Sequence, residues 1–335
     1  MKVIVITPNR KFDAVAPVII EGLYDIGCDV IATDYGNSVK KVYSDEDVIL
    51  HSRDADYIFV IWGKVRGNRP PKYYLLEKIN RPEITAYIDG SEWTCTGYCE
   101  TDEIVAAPWL GGKMINRQIF DSKFNTKKCK GSPWINQKMF DYCKWYFKRE
   151  CYLEDQHDGI IPFNVGCLKK YFGNFEVDKD IDILFSFGHL MTGLRYETFQ
   201  ICKKLKDEGY NVVFAEGLEY NEYLKAISRS YIGISAWGAG NSCMRMWETV
   251  ANKTCCFVQK TEIEFPNSLK DGIHCVEYSS PDEFEKKIRF YLKRKDLCVK
   301  IGKKGFDHAL KYHVGKPKVE YMLSYMKVRE VKEHE

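Results

Sequence analysis

The chain of 335 residues is long enough for two domains that each bury a core, and its 45% hydrophobic and 29% charged residues are typical of a globular protein. Because no run of eighteen apolar residues occurs and the first strand is too short for a secretory signal, we expect no membrane span and no leader. Thirteen cysteines without regular spacing indicate reduced thiols and a cytoplasmic protein, while a net charge of +3 identifies no partner by itself.

The first half of the chain alternates strands with helices. In chain order the predicted elements are strand Lys2–Thr7, helix Asp13–Gly27, strand Asp29–Thr33, strand Tyr57–Trp62, helix Lys72–Ile79, strand Ile84–Ile88, strand Ile104–Ala107 and a helix over residues 133–143. Asp13 is a favourable N-cap and Gly27 a favourable helix stop. A strand–helix–strand unit of this length implies parallel strands with a right-handed crossover, so we predict a Rossmann-like domain over residues 1–163.

Two carboxylates follow the predicted strand Ile84–Ile88. Asp89 and Glu92 stand on a flexible segment at the sheet edge where ligands bind in parallel α/β domains. Either is a candidate general base that takes a proton from a substrate hydroxyl. The alternative is an Asp-Gly turn with a capping carboxylate.

Positive charge is concentrated between Lys113 and Arg149, where ten Lys or Arg stand against two Asp. Lys127 and Lys128 lie near the middle of this segment. Its aromatic residues are Phe120, Phe124, Trp134, Phe140, Tyr142, Trp145, Tyr146 and Phe147. Cations that pair with phosphates, together with rings that stack on bases, favour an anionic polymer as partner. A solvated basic face over an aromatic core explains the same pattern.

The cysteines do not predict a metal site. Cys95 and Cys99 are separated by three residues, and Cys255 and Cys256 are adjacent in an apolar strand. Neither pair has the close Cys-x-x-Cys spacing that structural zinc favours, and thiols in an apolar strand act as small hydrophobes. We therefore expect no bound metal.

The second half repeats the strand–helix pattern. Residues 164–180 are predicted to be a linker, 181–316 a second α/β domain, and 317–335 a helical segment whose apolar spacing permits a return to the first domain. The predicted elements are strand Ile181–Ser186, helix Gly193–Glu208, strand Asn211–Phe214, helix Tyr220–Ser228, strand Tyr231–Ser235, strand Thr254–Val258, helix Pro281–Lys293, helix Asp296–Tyr312 and helix Pro317–Glu330. Two facing doubly wound domains place ligands at the carboxyl ends of their strands, in the cleft between them.

The segment between strands Tyr231–Ser235 and Thr254–Val258 carries the most informative pattern. It begins as a loop of small residues that ends in Gly240, Asn241 and Ser242, and it continues as an amphipathic helix. A helix N-terminus behind such a loop offers unpaired N–H groups to an anion. The pattern predicts a phosphate site.

Within that helix two faces differ in chemistry. Met244, Trp247 and Val250 are expected to form an apolar stripe against a sheet, while Arg245 and Glu248 share another face. A carboxylate one turn deeper than a phosphate site can accept two sugar hydroxyls. The pair therefore predicts a nucleotide pocket, with a solvated helix carboxylate as the alternative for Glu248.

Two further loops of the second half contain candidate binding residues. Gly188 and His189 lie after the first strand of the domain, in a loop that opens a helix with Arg195, whose guanidinium can fork onto phosphate oxygens. Glu216 and Tyr220 follow the next strand, where backbone groups can contact a base edge and a ring can stack. A surface arginine and a plain strand-to-helix turn are the alternatives.

The pattern Arg-x-x-Glu, followed by small residues and a buried strand, resembles the donor-site helix of GT-B glycosyltransferases. It is most similar to the spore-maturation-type (CgeB-like) branch, related to the group 1 glycosyltransferases, and the resemblance covers roughly residues 180–313. One departure is Ala251-Asn252-Lys253, where the family usually has Ala-Cys-Gly. The resemblance implies an α/β protein of GT-B fold, with two facing Rossmann-like domains and the active site in the interdomain cleft.

The same resemblance assigns roles to the matching positions. Arg195 and Arg245 would neutralise the leaving nucleoside diphosphate in place of a metal, and His189 would contact the transferred sugar. The donor-binding residues it implies are Gly188, Arg195, Glu216, Tyr220, Gly240, Asn241, Ser242, Arg245 and Glu248. On the acceptor side it implies the loop with Asn9 and Arg10, to which the basic segment adds Lys127 and Lys128.

The function expected from this resemblance is transfer of a sugar from a nucleoside-diphosphate sugar, taken as UDP-linked, to a hydroxyl acceptor, without a metal or other cofactor. An anionic polymer is a candidate acceptor: either hydroxymethylated viral DNA, since the compact size resembles that of the phage DNA glucosyltransferases, or a phosphate-rich cell-surface polymer. A nucleotide-sugar 2-epimerase of the same architecture and a non-catalytic nucleotide- or polymer-binding protein are the alternatives. Hydride transfer is disfavoured, since no Gly-x-Gly-x-x-Gly follows the first strand.

Overall fold

The computed structural model describes residues 1–7, 15–33, 38–62, 72–90, 109–110, 113–114, 137–149, 151–152, 159–173, 175–186, 194–237, 241–261 and 263–332. The chain divides into two compact units. The first unit contains Met1–Leu168, Ile263–Pro266 and Val314–Glu335, and the second contains Lys169–Glu262 and Asn267–His313.

The strands alternate with helices in both units. In chain order the strands are β1 (Lys2–Ile6), β2 (Asp29–Ala32), β3 (Tyr57–Trp62), β4 (Thr85–Asp89), β5 (Trp109–Leu110), β6 (Lys113–Met114), β7 (Trp145–Lys148), β8 (Cys151–Tyr152), β9 (Ile160–Pro162), β10 (Ile181–Phe185), β11 (Val212–Phe214), β12 (Ser230–Ser235), β13 (Cys255–Gln259), β14 (Ile263–Glu264) and β15 (Val276–Tyr278). The helices are α1 (Val15–Asp25), α2 (Asp45–His51), α3 (Tyr73–Ile79), α4 (Gln137–Tyr142), α5 (Leu194–Asp207), α6 (Tyr220–Arg229), α7 (Met244–Val250), α8 (Pro281–Leu292), α9 (Lys295–Tyr312) and α10 (Gly315–Lys332).

The first unit is built on a parallel sheet with strand order β2-β1-β3-β4-β7-β9. Its central strands are continuous apolar runs, such as KVIVI in β1 and YIFVIW in β3, as expected when helices cover both faces of a parallel sheet. Helix α1 packs with a nearly continuous buried face, and Gly27 (φ 77°) lies two residues beyond its end. Ser44 caps α2 by accepting a hydrogen bond from the Asp47 amide at 3.1 Å.

Two segments from the far end of the sequence complete the first unit. Strand β14 pairs antiparallel with β8. Helix α10 packs against α1, and an added Cβ at Gly22 would lie 2.2 Å from the Gly315 carbonyl oxygen. The buried side of α10 includes Val319, Met322 and Met326. The two helices approach so closely because both have glycine at the contact.

The second unit is built on a parallel sheet with strand order β11-β10-β12-β13-β15. Its core combines strand residues such as Ile183, Ile232 and Phe257 with Phe284 and Ile288 of α8. Glu219 caps α6 and Ser280 caps α8. Each of these side chains accepts hydrogen bonds from backbone N–H groups in the first turn of its helix. None of the helices in the described ranges is long and apolar enough to cross a membrane.

The predicted linker over residues 164–180 is wrong in its first part. Asn164 and Leu168 are buried in the first unit, and the chain passes to the second unit at Lys169, in a single 3-10 turn over Lys169–Tyr171. Gly173 is tied down as well, since its amide donates to the Asn252 side-chain oxygen at 3.1 Å. Gly166 and Gly173 therefore belong to packed turns, where the sequence pattern suggested an open connection.

Two other sequence expectations need correction. The strand β7 was not predicted, and its Trp145, Tyr146 and Phe147 are core residues with at most 1% exposure, so they cannot stack on an external polymer. Met244 is 38% exposed at the first position of α7, and Met246 takes the buried place expected for it. The predicted strand Ile104–Ala107 and the N-cap Asp13 lie outside the described residues.

Candidate functional site

A pocket of about 320 Å³ lies within the second unit. Its walls come from the chain after β10 and β11 and from the helices α6 and α7. The lining residues are Ser186, Ala215, Gly217, Leu218, Tyr220, Tyr223, Arg245 and Glu248. The polar groups among them are a carboxylate, a guanidinium, a serine and two phenols, so the pocket suits a polar ligand.

The pocket is placed by the topology of the sheet. Strand β10 lies between β11 and β12, so the chain leaves β10 to one side and returns on the other. In open parallel sheets this reversal leaves a crevice at the carboxyl ends of the two strands, which is where such folds bind ligands. Ser186 directly follows β10, and α7 follows β12, so the pocket lies at this point of the sheet.

Glu248 is the most constrained polar residue of the pocket. Glu248 is only 6% exposed, although it lines the cavity. The Tyr220 hydroxyl donates to Oε1 at 3.1 Å, and the Tyr223 hydroxyl donates to Oε2 at 3.1 Å. Because each carboxylate oxygen has two lone pairs, each oxygen still has capacity to accept from a ligand hydroxyl.

The charge of this group is set by opposing effects. Burial raises the pKa of Glu248, while the charge of Arg245, the two tyrosine hydrogen bonds and Lys170 act to lower that pKa. Burial and the neighbouring carboxylate raise the pKa of Tyr220 and of Tyr223. The tyrosines therefore stay protonated and act as donors to the carboxylate.

The two arginines expected at a diphosphate differ in position. Arg245 lines the pocket one turn before Glu248, as the helix spacing predicts. Arg195, on α5, is not a lining residue, and its guanidinium donates to the backbone carbonyl of Trp237. Trp237 is held in turn by Gln259, because its backbone N–H donates to Gln259 Oε1 at 3.1 Å. Arg195 thus reaches the loop after β12.

The remaining described donor-site residues lie on both sides of these groups. Glu216 is exposed on the loop after β11, between two lining residues. Asn241 and Ser242 are buried directly before α7, at 3% and 1% exposure. Helix α7 has only seven residues, so the helix-dipole contribution expected at its N-terminus is small.

Asp89 does not have the environment of a general base. It is 1% exposed in the first unit, and one carboxylate oxygen accepts from the Tyr146 hydroxyl at 2.8 Å and from Lys148 Nζ at 3.1 Å. Lys148 is fully buried. Asp89 is thus one partner of a buried ion pair at the end of β4, and its role as general base stays a prediction.

Several predicted site residues cannot be placed, because they lie outside the described ranges. They are Asn9, Arg10, Glu92, Lys127, Lys128, Gly188, His189 and Gly240. Conversely, the structure adds Tyr223, which the sequence analysis missed. Its signal was the Tyr220-x-x-Tyr223 spacing, which puts both rings on one face of a helix.

Carboxylates with Asp-x-Asp spacing occur in the described chain, and at least one member of each such run is paired with a cation. Asp45 accepts from Lys72, Asp54 from Lys2, and Asp180 from Arg229. Asp182 pairs with Lys295 at 2.6 Å. Among the described residues, no cluster of three or more His, Cys, Asp or Glu side chains is arranged to hold a metal ion.

Comparison with known proteins agrees with this geometry. Residues 186–324 match the family described as glycosyl transferase-like. This segment is similar to that family. The match includes the whole pocket, from Ser186 to Glu248, whereas the narrower likeness to the spore-maturation branch remains a prediction. No curated protein sequence is significantly similar to the chain.

Several solved structures share the fold of this chain. An alpha-glucosyltransferase in complex with UDP-glucose and DNA containing an abasic site is 10% identical, with a TM-score of 0.61 and coverage of 98% of this chain and 99% of that one. The Anabaena protein HepE in complex with UDP is 8% identical, with a TM-score of 0.56 and coverage of 98% and 100%. T4 phage BGT with UDP-glucose is 12% identical, with a TM-score of 0.51 and coverage of 98% and 99%. The glycosyl transferase-like domain is thus part of a GT-B fold.

Proposed function

We propose that this protein is a glycosyltransferase that moves a sugar from a UDP-linked donor to a hydroxyl acceptor. The observation that carries the proposal is the buried Glu248 carboxylate, which lines a polar pocket beside Arg245 at the strand reversal of a glycosyl transferase-like domain. The fold supports it, since similar structures hold UDP or UDP-glucose.

The pocket residues suit the parts of such a donor. Glu248 has one acceptor position on each oxygen for the two ribose hydroxyls, and Arg245 supplies positive charge for the diphosphate. The loop after β11 and the ring of Tyr220 would bind the base. Arg195, which donates to the Trp237 carbonyl, is proposed as the second cation at the diphosphate. These roles are proposals for the donor half of the reaction.

The proposed chemistry needs no metal, because cationic side chains neutralise the leaving diphosphate. Asp89 is left out of the proposed chemistry, because it is ion-paired with Lys148. Glu92 and His189 stay candidates for contacts with the acceptor hydroxyl and the transferred sugar.

The proposed acceptor is an anionic polymer, with hydroxymethylated DNA as the specific candidate. One similar structure was solved with DNA, and the first unit contains the surplus of Lys and Arg between Lys113 and Arg149. Because Lys148 and Arg149 are buried, we assign the phosphate contacts to cations earlier in the segment, including Lys127 and Lys128, which lie outside the described residues.

A panel of nucleoside-diphosphate sugars tests the proposal directly. We expect UDP release from one or more UDP-sugars, faster when hydroxymethylated DNA is added, and unchanged in excess EDTA. A donor that is bound without release of UDP, with or without acceptor, would identify a non-catalytic binding protein. Conversion of a UDP-sugar to its 2-epimer would support the epimerase, which neither the family match nor the similar structures favour.

A further inference from the structure

The geometry points to Tyr220 and Tyr223 as positioning residues, which hold the Glu248 carboxylate so that it accepts a vicinal diol. The oriented carboxylate then makes the pocket selective for ribonucleoside over 2′-deoxyribonucleoside diphosphates. This inference rests on the proposed function, and it concerns residues that do not themselves need to touch the donor ribose.

The two tyrosines act on different oxygens of one carboxylate. Tyr220 donates to Oε1 and Tyr223 to Oε2, each at 3.1 Å. A carboxylate bound at both oxygens by two rings on one helix face cannot rotate about its last side-chain bond without breaking both hydrogen bonds. The remaining lone pair on each oxygen is therefore held in a fixed direction.

A second contact fixes the two helices that carry these groups. The side-chain amide nitrogen of Asn252 donates to the Glu248 backbone carbonyl at 2.7 Å. The Ser228 hydroxyl, near the end of α6, donates to the Asn252 side-chain oxygen at 3.0 Å. Asn252 also donates to the Tyr171 carbonyl at 2.8 Å. This tie keeps the helix that holds the tyrosines in register with the helix that holds the carboxylate.

Charged and titratable groups reach Glu248 from several elements. Arg245 lies on its own helix, Tyr220 and Tyr223 on α6, and Lys170 on the turn before the sheet. Helix α9 also packs on α7, and His313 just after its end contacts the Trp247 ring at a centroid distance of 4.5 Å.

The sheet places Cys256 of β13 near Arg245, and burial raises the pKa of that thiol, so it stays neutral. Burial raises the pKa of Glu248, and the tyrosine hydrogen bonds oppose that rise. Loss of both hydroxyls would therefore move protonation of Glu248 to higher pH.

Selectivity follows from the number of hydroxyls on the sugar. A ribose offers one donor to each oriented lone pair, whereas a 2′-deoxyribose leaves one carboxylate oxygen desolvated without its donor. Sites built around a specific hydroxyl reject the analogue that lacks it. A carboxylate that rotates freely or is protonated makes this distinction less well, so the tyrosines should control the ratio of the two affinities.

The test measures binding of UDP and of 2′-deoxy-UDP by calorimetry from about pH 5 to 8. The proteins are wild type, Y220F, Y223F, the double variant and the control Y210F, which lacks a hydroxyl outside the pocket in the same unit. We expect UDP affinity to fall about tenfold for each hydroxyl removed. In these tyrosine variants the ratio of UDP affinity to 2′-deoxy-UDP affinity should fall towards one. The pH below which binding is lost should rise.

Two results separate this inference from the proposed function. Wild-type protein that binds neither nucleotide at any pH overturns the proposed function and the inference with it. Wild-type protein that binds UDP, with an unchanged affinity ratio and pH limb in the folded double variant, overturns the inference alone. If the double variant does not fold, E248Q provides the second measurement. A neutral amide should bring the ratio of UDP to 2′-deoxy-UDP affinity closer to one and abolish the loss of binding at acidic pH. If neither the affinity ratio nor the pH dependence of binding changes in E248Q, the inference is overturned.

Discussion

Two buried carboxylates show how neighbours decide what a residue can do. Asp89 and Glu248 are both under 10% exposed. Asp89 is enclosed with the ammonium group of Lys148, 59 residues away in sequence, so its charge is already matched within the sheet. Glu248 faces a cavity and retains acceptor positions. Arg-x-x-Glu is a local pattern, so the sequence alone singles out Glu248, which lines the pocket, whereas the partner of Asp89 is non-local and could not be predicted.

A double-mutant cycle tests the structural role of Asp89. Asp89→Asn leaves Lys148 charged and buried without its counter-ion, which should lower the unfolding free energy by about 3–5 kcal/mol. Combining it with Lys148→Met should restore much of that loss, since no unpaired charge remains. Urea denaturation measures both effects. A stable Asp89→Asn protein that has lost only turnover would instead return Asp89 to the role of general base.

Lys318 makes a pH-dependent contribution to stability. It is 3% exposed on α10, donates to Asn164 Oδ1 and lies 5.0 Å from the centre of the Phe163 ring. Burial lowers the pKa of Lys318 from 10.5 to about 7. Below that pH the folded state contains the buried charge, while between about 7 and 10.5 only the unfolded state binds the proton, so stability rises with pH.

The matching prediction compares Lys318→Met with wild type. The variant should be the more stable protein near pH 6, and its advantage should shrink by at most ~1.4 kcal/mol per pH unit between about pH 7 and 10. Thermal and urea unfolding across this range measure the difference, with Lys327→Met on the exposed side of α10 as control. A difference that does not change with pH would contradict the account.

At the scale of elements, the sequence predicted apolar strands well and polar-flanked strands poorly. β3 has the predicted bounds, because YIFVIW is a continuous apolar run. β7 was missed since its aromatic residues stand beside Lys148 and Arg149, which suggested a surface. The unusual helix exit at Asn252 was visible in the sequence, but its function as a tie between α6 and α7 needed the structure.

The contact between α1 and α10 gives a prediction at the same scale. Gly22→Ala places a methyl group where the Gly315 carbonyl oxygen lies, 2.2 Å away, so the helices must separate. We expect a loss of about 1–3 kcal/mol in unfolding free energy. Denaturant unfolding checks this against Lys327→Ala, an exposed change in α10 that should have little effect. Equal stability of Gly22→Ala and wild type would show that the helices accommodate the methyl group.

At the scale of the whole molecule, chain order and spatial order differ. Ile263–Pro266 and Val314–Glu335 belong to the first unit although their sequence neighbours belong to the second. A two-residue strand such as β14 has no sequence signal, because its pairing with β8 is entirely non-local. The alternation of strands and helices predicted two α/β domains, and a return of the last helix was expected, but hydrophobic periodicity could not locate the crossing at Ile263–Pro266.

The proposed acceptor predicts a salt dependence. Contacts to duplex phosphates weaken linearly in log salt, with a slope near 0.9 per phosphate. The apparent acceptor constant should therefore rise steeply between about 50 and 200 mM salt, while the donor constant changes less. K127E/K128E should flatten the dependence, and the control K300E/K303E, two exposed positions on α9, should not. A salt-independent acceptor constant, or equal effects of the two double substitutions, would contradict an anionic polymer as the acceptor.

The most direct test of the whole account is the rate of UDP release from UDP-glucose by wild type and by Glu248→Gln. The substitution keeps the shape of the side chain and removes the charge that accepts the ribose hydroxyls, so it should leave the fold intact. At donor concentrations below saturation we predict that wild type releases UDP and that the variant does so roughly 10- to 100-fold more slowly. Equal rates in the two proteins would contradict the assignment of the pocket, and no release from any UDP-sugar by wild type would contradict the proposed reaction.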